Sequence, residues 1–189
     1  MIEIVSYQPR WADEFLALGR ELRAALGSLA LRVDHIGSTS VPGLAAKDII
    51  DIQVTVAALE NGVEDALSRV GYERVRHIAG DHVPPGARTD PAEWTKWLFR
   101  EPPGRRRVNL HVRVAGRANQ RYPLLFRDYL RAHPAIADAY AQAKLALARL
   151  HPDDVAAYYD VKDPVCDIIM GGAADWVAAT SWEPEPSDC

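Results

Sequence analysis

Residues 34–54 read DHIGSTSVPGLAAKDIIDIQV, and the way this stretch is parsed decides the fold. At its end Ile50, Ile52, Val54 and Val56 alternate with Asp51, Gln53 and Thr55. A period of two is that of a strand with one apolar face and one polar face. Upstream, Gly37 and Ser38 form a turn leaving a shorter strand, Leu31–Ile36. A glycine at such a turn lets backbone approach an anion, a following serine adds a hydroxyl, and a helix N-terminus adds N–H donors. Thr39 and Ser40 extend the donor set. The same four residues also suit an ordinary turn with a helix cap.

The adjoining strand sharpens the question. Asp51 and Gln53 share one face, whereas Asp48, three residues before Asp51, points to the other. Carboxylates paired in this way hold Mg²⁺ against phosphates. Here only Asp51, the candidate Mg²⁺ ligand, is charged. Gln53 offers a neutral oxygen, a poorer ligand for a hard cation. A second alternating strand, Arg107–Val114, carries Asn109, His111 and Arg113 on its polar face and is expected to complete the floor of a site.

Outward from this centre, Trp11, Phe15, Leu18, Leu22 and Leu26 recur at helical spacing after Pro9. Gly43–Lys47 suits a short helix or a tight connection, Ala58–Val70 a helix and Tyr72–Arg76 a strand. Residues 77–92 read as a mobile loop rich in Gly, Pro, Asp and His, followed by a strand over Glu93–Arg100. From Gln120 to about Ala174 the spacing is helical, and Pro123, Pro134 and Pro152 divide it into three helices by fitting first-turn positions. The expected fold class is α+β: a mixed sheet flanked by helices, with a C-terminal layer of three helices. One domain is expected over residues 1–175, its α/β part about 1–116 and its helical part about 117–175, with 176–189 a flexible tail.

The bulk composition narrows the function. A chain of 189 residues suits one domain with a sizeable core. A net charge of −4 gives no general attraction to polyanions, so nucleic acid is not an expected partner. No apolar run approaches the roughly 20 residues needed to span a bilayer. The opening residues lack the basic-then-apolar pattern of a secretion signal. Cys166 and Cys189 make neither a disulfide framework nor a metal pair. A cytoplasmic protein without membrane association is expected.

The stretch HIGSTSVPGLAAKDIIDIQV resembles the signature of the GrpB family, a branch of the nucleotidyltransferase-like superfamily that also occurs fused behind dephospho-CoA kinase. The likeness extends to VNLHV at 108–112, FRDYLRAHP at 126–134, Tyr140 with Lys144, and Tyr158 with Lys162. It implies a nucleotidyltransferase-like mixed sheet. By this resemblance Gly37 and Ser38 match the phosphate-binding Gly-Ser and Asp51 matches the first metal carboxylate. Gln53 stands where active members carry a second Asp, and His111 falls where the third acid is expected. Asp48 replaces the family's proline after Lys47. Asp51 and His111 are thus the candidate catalytic residues, in a site poor in acids.

Lys47 suits either a phosphate contact, which the resemblance supports, or a solvated helix end. Lys96, between Trp94 and Trp97, either lines the cleft or covers indole rings with its stem. Tyr140 with Lys144, and Tyr158 with Lys162, are four residues apart and share helical faces. Together with Arg127 and Arg131 they would serve an anionic ligand or pair with Asp128, Asp138 and Asp163. His35 is read as a structural or a functional imidazole. His77, Asp81 and His82 are of metal-binding types but lack a fourth ligand, and Arg105–Arg107 read as a solvated hairpin tip. The expected ligand is a nucleotide or another phosphorylated small molecule, with Mg²⁺ as cofactor and nucleotidyl transfer as the reaction. The alternative is a non-catalytic accessory domain with a protein partner.

Overall fold

The computed structural model describes residues 1–189 as a five-stranded mixed sheet between two sets of helices. The strands are β1 (Arg32–Ile36), β2 (Ile50–Val56), β3 (Glu73–Arg74), β4 (Trp97–Arg100) and β5 (Val108–Val114). Their order is β1-β2-β5-β4-β3, with β2 and β5 parallel and every other pair antiparallel. Helices α1 (Arg10–Leu26) and α2 (Asn61–Arg69) precede a C-terminal trio: α3 (Ala118–Ala132), α4 (Pro134–Leu150) and α5 (Val155–Thr180). No helix is long and apolar enough to cross a membrane.

The alternation in β2 sorts its side chains as the sequence predicts. Ile50, Ile52, Val54 and Val56 join Val108, Leu110 and Val112 of β5 in a core covered by Trp11, Phe15, Leu18, Leu22 and Leu26 of α1 and Leu67 of α2. Full burial of each such side chain contributes about 1.5–3 kcal/mol, so this face anchors the sheet. A second core joins α3, α4 and α5 through Leu125, Tyr129, Leu130, Tyr140, Ile169 and Ala173, with Val41 and Leu44. Between the two lies the polar face of the sheet, where Gln53 and Arg113 are buried and Asp51 and His111 remain partly exposed. A polar layer under a helical lid has to be hydrogen-bonded throughout, and that requirement organises the site.

Several expectations need correction. Of the two readings of Gly43–Lys47 the tight connection holds and the helix does not: Ala46 forms a bridge with Val5, exchanging backbone hydrogen bonds of 2.9 and 3.0 Å. Pro134 is the first residue of α4, but Pro123 lies inside α3 and Pro152 precedes α5. Helix α3 begins earlier than expected because the Glu93 carboxylate accepts the Ala118 N–H at 2.8 Å. Helix α5 runs on to Thr180, beyond the expected end near 174.

The expected flexible tail is docked instead. Ser187 accepts the Val33 N–H at 2.8 Å, Asp188 that of His35 at 2.8 Å, and the Cys189 N–H donates to Val33 O at 3.1 Å. Strand β1 lies at the sheet edge, and its unpaired backbone groups gain partners from the tail. The Arg105–Arg106 run is not free either, since Arg105 pairs with Glu21 at 2.5 Å and Arg106 with Glu14 at 2.7 Å on α1.

Candidate functional site

The site begins at the turn between β1 and β2. Gly37 has φ +69°, and a Cβ built on it would stand 2.9 Å from Asp51 Cγ. Glycine is therefore required both by backbone conformation and by the closeness of the carboxylate. This contact brings the Gly-Ser turn and Asp51 onto one side of the sheet. Asp48 points away, to Trp11 and Arg10 of α1 at 2.7 and 2.9 Å, as strand periodicity predicts.

The Asp51 carboxylate is a quarter exposed. Asn109 of β5 donates to its Oδ1 at 2.6 Å and accepts from Arg100 in turn, which fixes the amide orientation. His111 Nε2 stands 3.9 Å from the same oxygen, too far for a good hydrogen bond. Burial opposes ionisation of Asp51, but the approach of His111 and the Asn109 bond outweigh it and hold the carboxyl below its ordinary range. His111 is pushed down to about 4 by burial and by Arg113 beside it, so it is a neutral imidazole at pH 7.

Gln53 is fully buried and both ends of its amide are used. Its Nε2 donates to Gln120 O on α3 at 2.9 Å, and its Oε1 accepts from Arg113 Nη1 at 2.8 Å. Arg113 continues into a bidentate pair with Asp81, at 2.8 and 2.9 Å. Lys96 Nζ donates to Asp81 at 2.6 Å, and Asn119 Nδ2 donates to the same carboxylate at 3.0 Å. Although burial penalises its charge, the Arg113 and Lys96 cations keep Asp81 far below the usual carboxylate range. The loop holding Asp81 is thus tied down, not mobile, and His82 fastens it to Asp167 of α5 at 2.9 Å. Asp81 and His82 have different partners, and no group of three His, Cys, Asp or Glu side chains is disposed to hold a metal ion.

The helical layer supplies two lysine ammonium groups and the β1–β2 connection a third. Lys144 of α4 is buried and donates to Ser38 Oγ at 2.8 Å and to Ala45 O at 2.5 Å. Lys47 lies over the rings of Tyr158 and Tyr159 at 4.3 and 4.9 Å, and Lys162 over Tyr159 at 5.4 Å. Lys144 lies over Tyr140 at 4.5 Å. Only Lys162 has an acid, Asp163 at 3.1 Å; neither Lys47 nor Lys144 pairs with a carboxylate. Burial and the neighbouring Lys162 push Lys144 down to about 7 and also lower Lys47. Two hollows of about 490 and 300 Å³ lie elsewhere, the first between α1 and Tyr72, the second around Pro42 and Pro134. Neither is lined by the lysines beside Ser38, and the unpaired cations of Lys47 and Lys144 make that cluster the better candidate.

Residues 1–171 match the family described as GrpB protein. The chain belongs to the GrpB family. A crystal structure of GrpB from Enterococcus faecalis is similar at 33% identity and a TM-score of 0.74, covering 93% of this chain and 99% of that one. A UPF0157 protein of Halalkalibacterium halodurans is 37% identical over 89% of this chain and 80% of its own. A dephospho-CoA kinase of Mycolicibacterium paratuberculosis is 36% identical over 97% of this chain. The match takes in 48% of that kinase, so the chain spans about half the length of the kinases it resembles. Cid1, solved with its short product ApU, shares the fold at a TM-score of 0.50 and 17% identity, over 77% of this chain and 43% of its own. The GrpB domain thus has the nucleotidyltransferase-like α+β fold expected from the sequence.

Within this GrpB domain the candidate residues separate into three groups. Ser38, Lys47, Lys144 and Lys162 cluster between the Gly-Ser turn and helices α4 and α5, with Tyr140 beneath Lys144 and the Asp51 charge acting on both Lys47 and Lys144. Gln53, Lys96, His111 and Arg113 stand on the same sheet face, but most of their polar atoms already have internal partners. Thr39 and Arg127 do not join the site. Thr39 bonds the His35 imidazole at 3.0 Å, and His35 stacks on Phe15 as a core residue. Arg127 is buried against His35 O at 3.0 Å, Asp188 at 2.8 Å and Asp128 at 2.7 Å. Arg131 donates to Ser40 O at 2.8 Å. Sequence reasoning weighed Asp81 only as a metal-binding type and missed Asn119, for no periodicity pairs a loop acid with Arg113 of β5 and Lys96.

Proposed function

We propose that this GrpB domain binds a nucleotide or another phosphorylated ligand in the crevice between the Gly-Ser turn and helices α4 and α5. One observation carries the reading: Lys144, buried and without an acidic partner, converges with Lys47 and Lys162 beside the Ser38 hydroxyl. Buried charges are ordinarily paired, and a lysine held against other lysines lacks the counter-charge a phosphate would supply. The ligand's phosphate oxygens would accept from Lys47, Lys144 and Lys162 and from Ser38, the last after Lys144 turns from the hydroxyl to the anion. The tyrosine rings beneath the ammonium groups hold them in place without neutralising them.

Nucleotidyl transfer to an acceptor would ask more of the site. In-line displacement at a triphosphate uses paired acids to hold metal ions, and of the superfamily's three acidic positions only Asp51 is an acid here. Gln53 is engaged at both ends and the Arg113 guanidinium stands beside it, so these residues do not fit a resident Mg²⁺. We therefore favour binding over transfer. The same observation, with the two-part length of the related kinases, supports an accessory role in which the domain meets a protein partner.

Calorimetric titration and thermal shift with ATP, GTP, CTP and UTP, with and without Mg²⁺, test the proposal. Binding of at least one is expected, weakened about tenfold or more in Lys144→Met through loss of a charge-assisted hydrogen bond. Indifference to all four would remove nucleotides as the ligand class, and partner capture would then test the accessory role.

A further inference from the structure

Two features of the polar face bear on how a phosphate would be neutralised. The position for a second metal carboxylate is closed by the Gln53 amide, whose oxygen already takes a hydrogen bond from Arg113 at 2.8 Å. The surrounding charge is cationic on both flanks. On one side Arg113 and Lys96 share the single Asp81 carboxylate. On the other, Lys47 and Lys144 have no acid of their own. A divalent ion at Asp51 would share its one carboxylate with Asn109 and face these fixed cations from two directions. Like charges held by a rigid frame repel most strongly where water is scarce.

We infer that this chain takes its phosphorylated ligand without a divalent cation: the lysines of α4, α5 and the β1–β2 connection supply the neutralisation that a metal provides at paired acids. The ligand class is a metal-free diphosphate or phosphomonoester group, free or as part of a nucleotide. Asp51 then acts against the anion at close range, setting an upper limit on its charge, while the neutral His111 and the Asn109 amide leave that limit unchanged. This inference rests on the lysine crevice being an anion site.

The experiment compares binding of inorganic pyrophosphate and of ATP to the full chain by calorimetry, in EDTA and in millimolar Mg²⁺. Affinity in EDTA equal to or greater than that in Mg²⁺ is the expected result, because Mg²⁺ competes for the free phosphates. Affinity at least tenfold higher in Mg²⁺, or binding only in its presence, would overturn the inference while leaving the anion site standing. Binding in neither condition would overturn the anion site and the inference with it. Asp51→Asn supplies a second readout, since Asn can still accept from Asn109. It should tighten pyrophosphate binding in EDTA severalfold by removing repulsion, whereas loss of a metal ligand would weaken binding in Mg²⁺ and leave binding in EDTA no tighter.

Discussion

Replacing Gln53 with Asp would introduce the acid that the resemblance to nucleotidyltransferases implies for this position, and we expect it to destabilise the fold instead of completing a metal site. Gln53 is fully buried, with its Nε2 on Gln120 O at 2.9 Å and its Oε1 on Arg113 at 2.8 Å. An aspartate removes the donor and leaves a buried carbonyl without that partner, which costs about 1–3 kcal/mol. It also removes one methylene, for about 0.8 kcal/mol more before any cavity effect. The new carboxylate regains part of this by facing Arg113, although that guanidinium is already held bidentately by Asp81. The net expectation is a loss of about 2–3 kcal/mol, near 5–10 °C in Tm for a chain of this size. Gln53→Glu makes the same exchange of amide for carboxylate but keeps the chain length, so its loss should be smaller by about the methylene contribution. Urea denaturation followed by tryptophan fluorescence reads both differences. A Gln53→Asp protein within 0.5 kcal/mol of the parent, and stabilised by Mg²⁺ where the parent is not, would refute the view that residue 53 is a structural bridge.

Thr55 is buried with its Oγ1 unpartnered, so Thr55→Val should be neutral or stabilise by up to about 1 kcal/mol in the same denaturation assay. Asp81→Asn leaves Lys96 and Arg113 without their shared acid and should destabilise by about 3 kcal/mol. Because the folded-state pKa of Asp81 is depressed, the stability it contributes is complete above the ordinary carboxylate range and fades as pH falls below it, so the acid limb of the stability curve should be shallower in this variant. His35 is held at about 4 by burial, so the unfolded chain binds its proton first; stability should fall between pH 6.5 and 4, by the order of 3 kcal/mol, and His35→Gln should flatten that segment. Lys144, pushed down to about 7, should bind an anion better when protonated, so pyrophosphate affinity measured by calorimetry should drop as pH rises from 6 to 8.

The parts of this structure that were legible beforehand are those governed by a short period. Alternation in β2 and β5 sorted Ile50, Ile52 and Val54 from Asp51 and Gln53, and helical spacing placed Tyr140 and Lys144 on one face of α4. Where a side chain's partner is distant in sequence, no local signal exists. Arg127 and Lys144 have the same sequence credentials, cations on C-terminal helices near an aromatic residue. One is consumed by Asp128, Asp188 and a backbone carbonyl, and the other meets Ser38. Their separation depends on the docked tail, whose Asp188 reaches the β1 edge, and the polar composition of residues 181–189 gave no hint of docking. Loop 77–92 misled for the same reason: Gly and Pro fix backbone turns but say nothing of which ion pair ends the loop.

The neutral residue at 53 and the cations around it become coherent when charge is considered over the whole layer instead of position by position. A neutral Gln at 53 lets Arg113 lie flat across the sheet, since a guanidinium can donate to an amide oxygen and a carboxylate at once. Arg113 in turn holds Asp81, which brings the loop over β5 and gives Lys96 its partner. An acid at 53 would compete with Asp81 for Arg113 and release Gln120 O from its donor, loosening both the loop and the start of α3. Gln53, Arg113 and Asp81 therefore form one unit. Double substitution of Gln53 and Asp81 should accordingly be less damaging than the sum of the single losses, the signature of residues that share a partner. Strict additivity would mean that the acid missing at residue 53 and the acid present at residue 81 are unrelated.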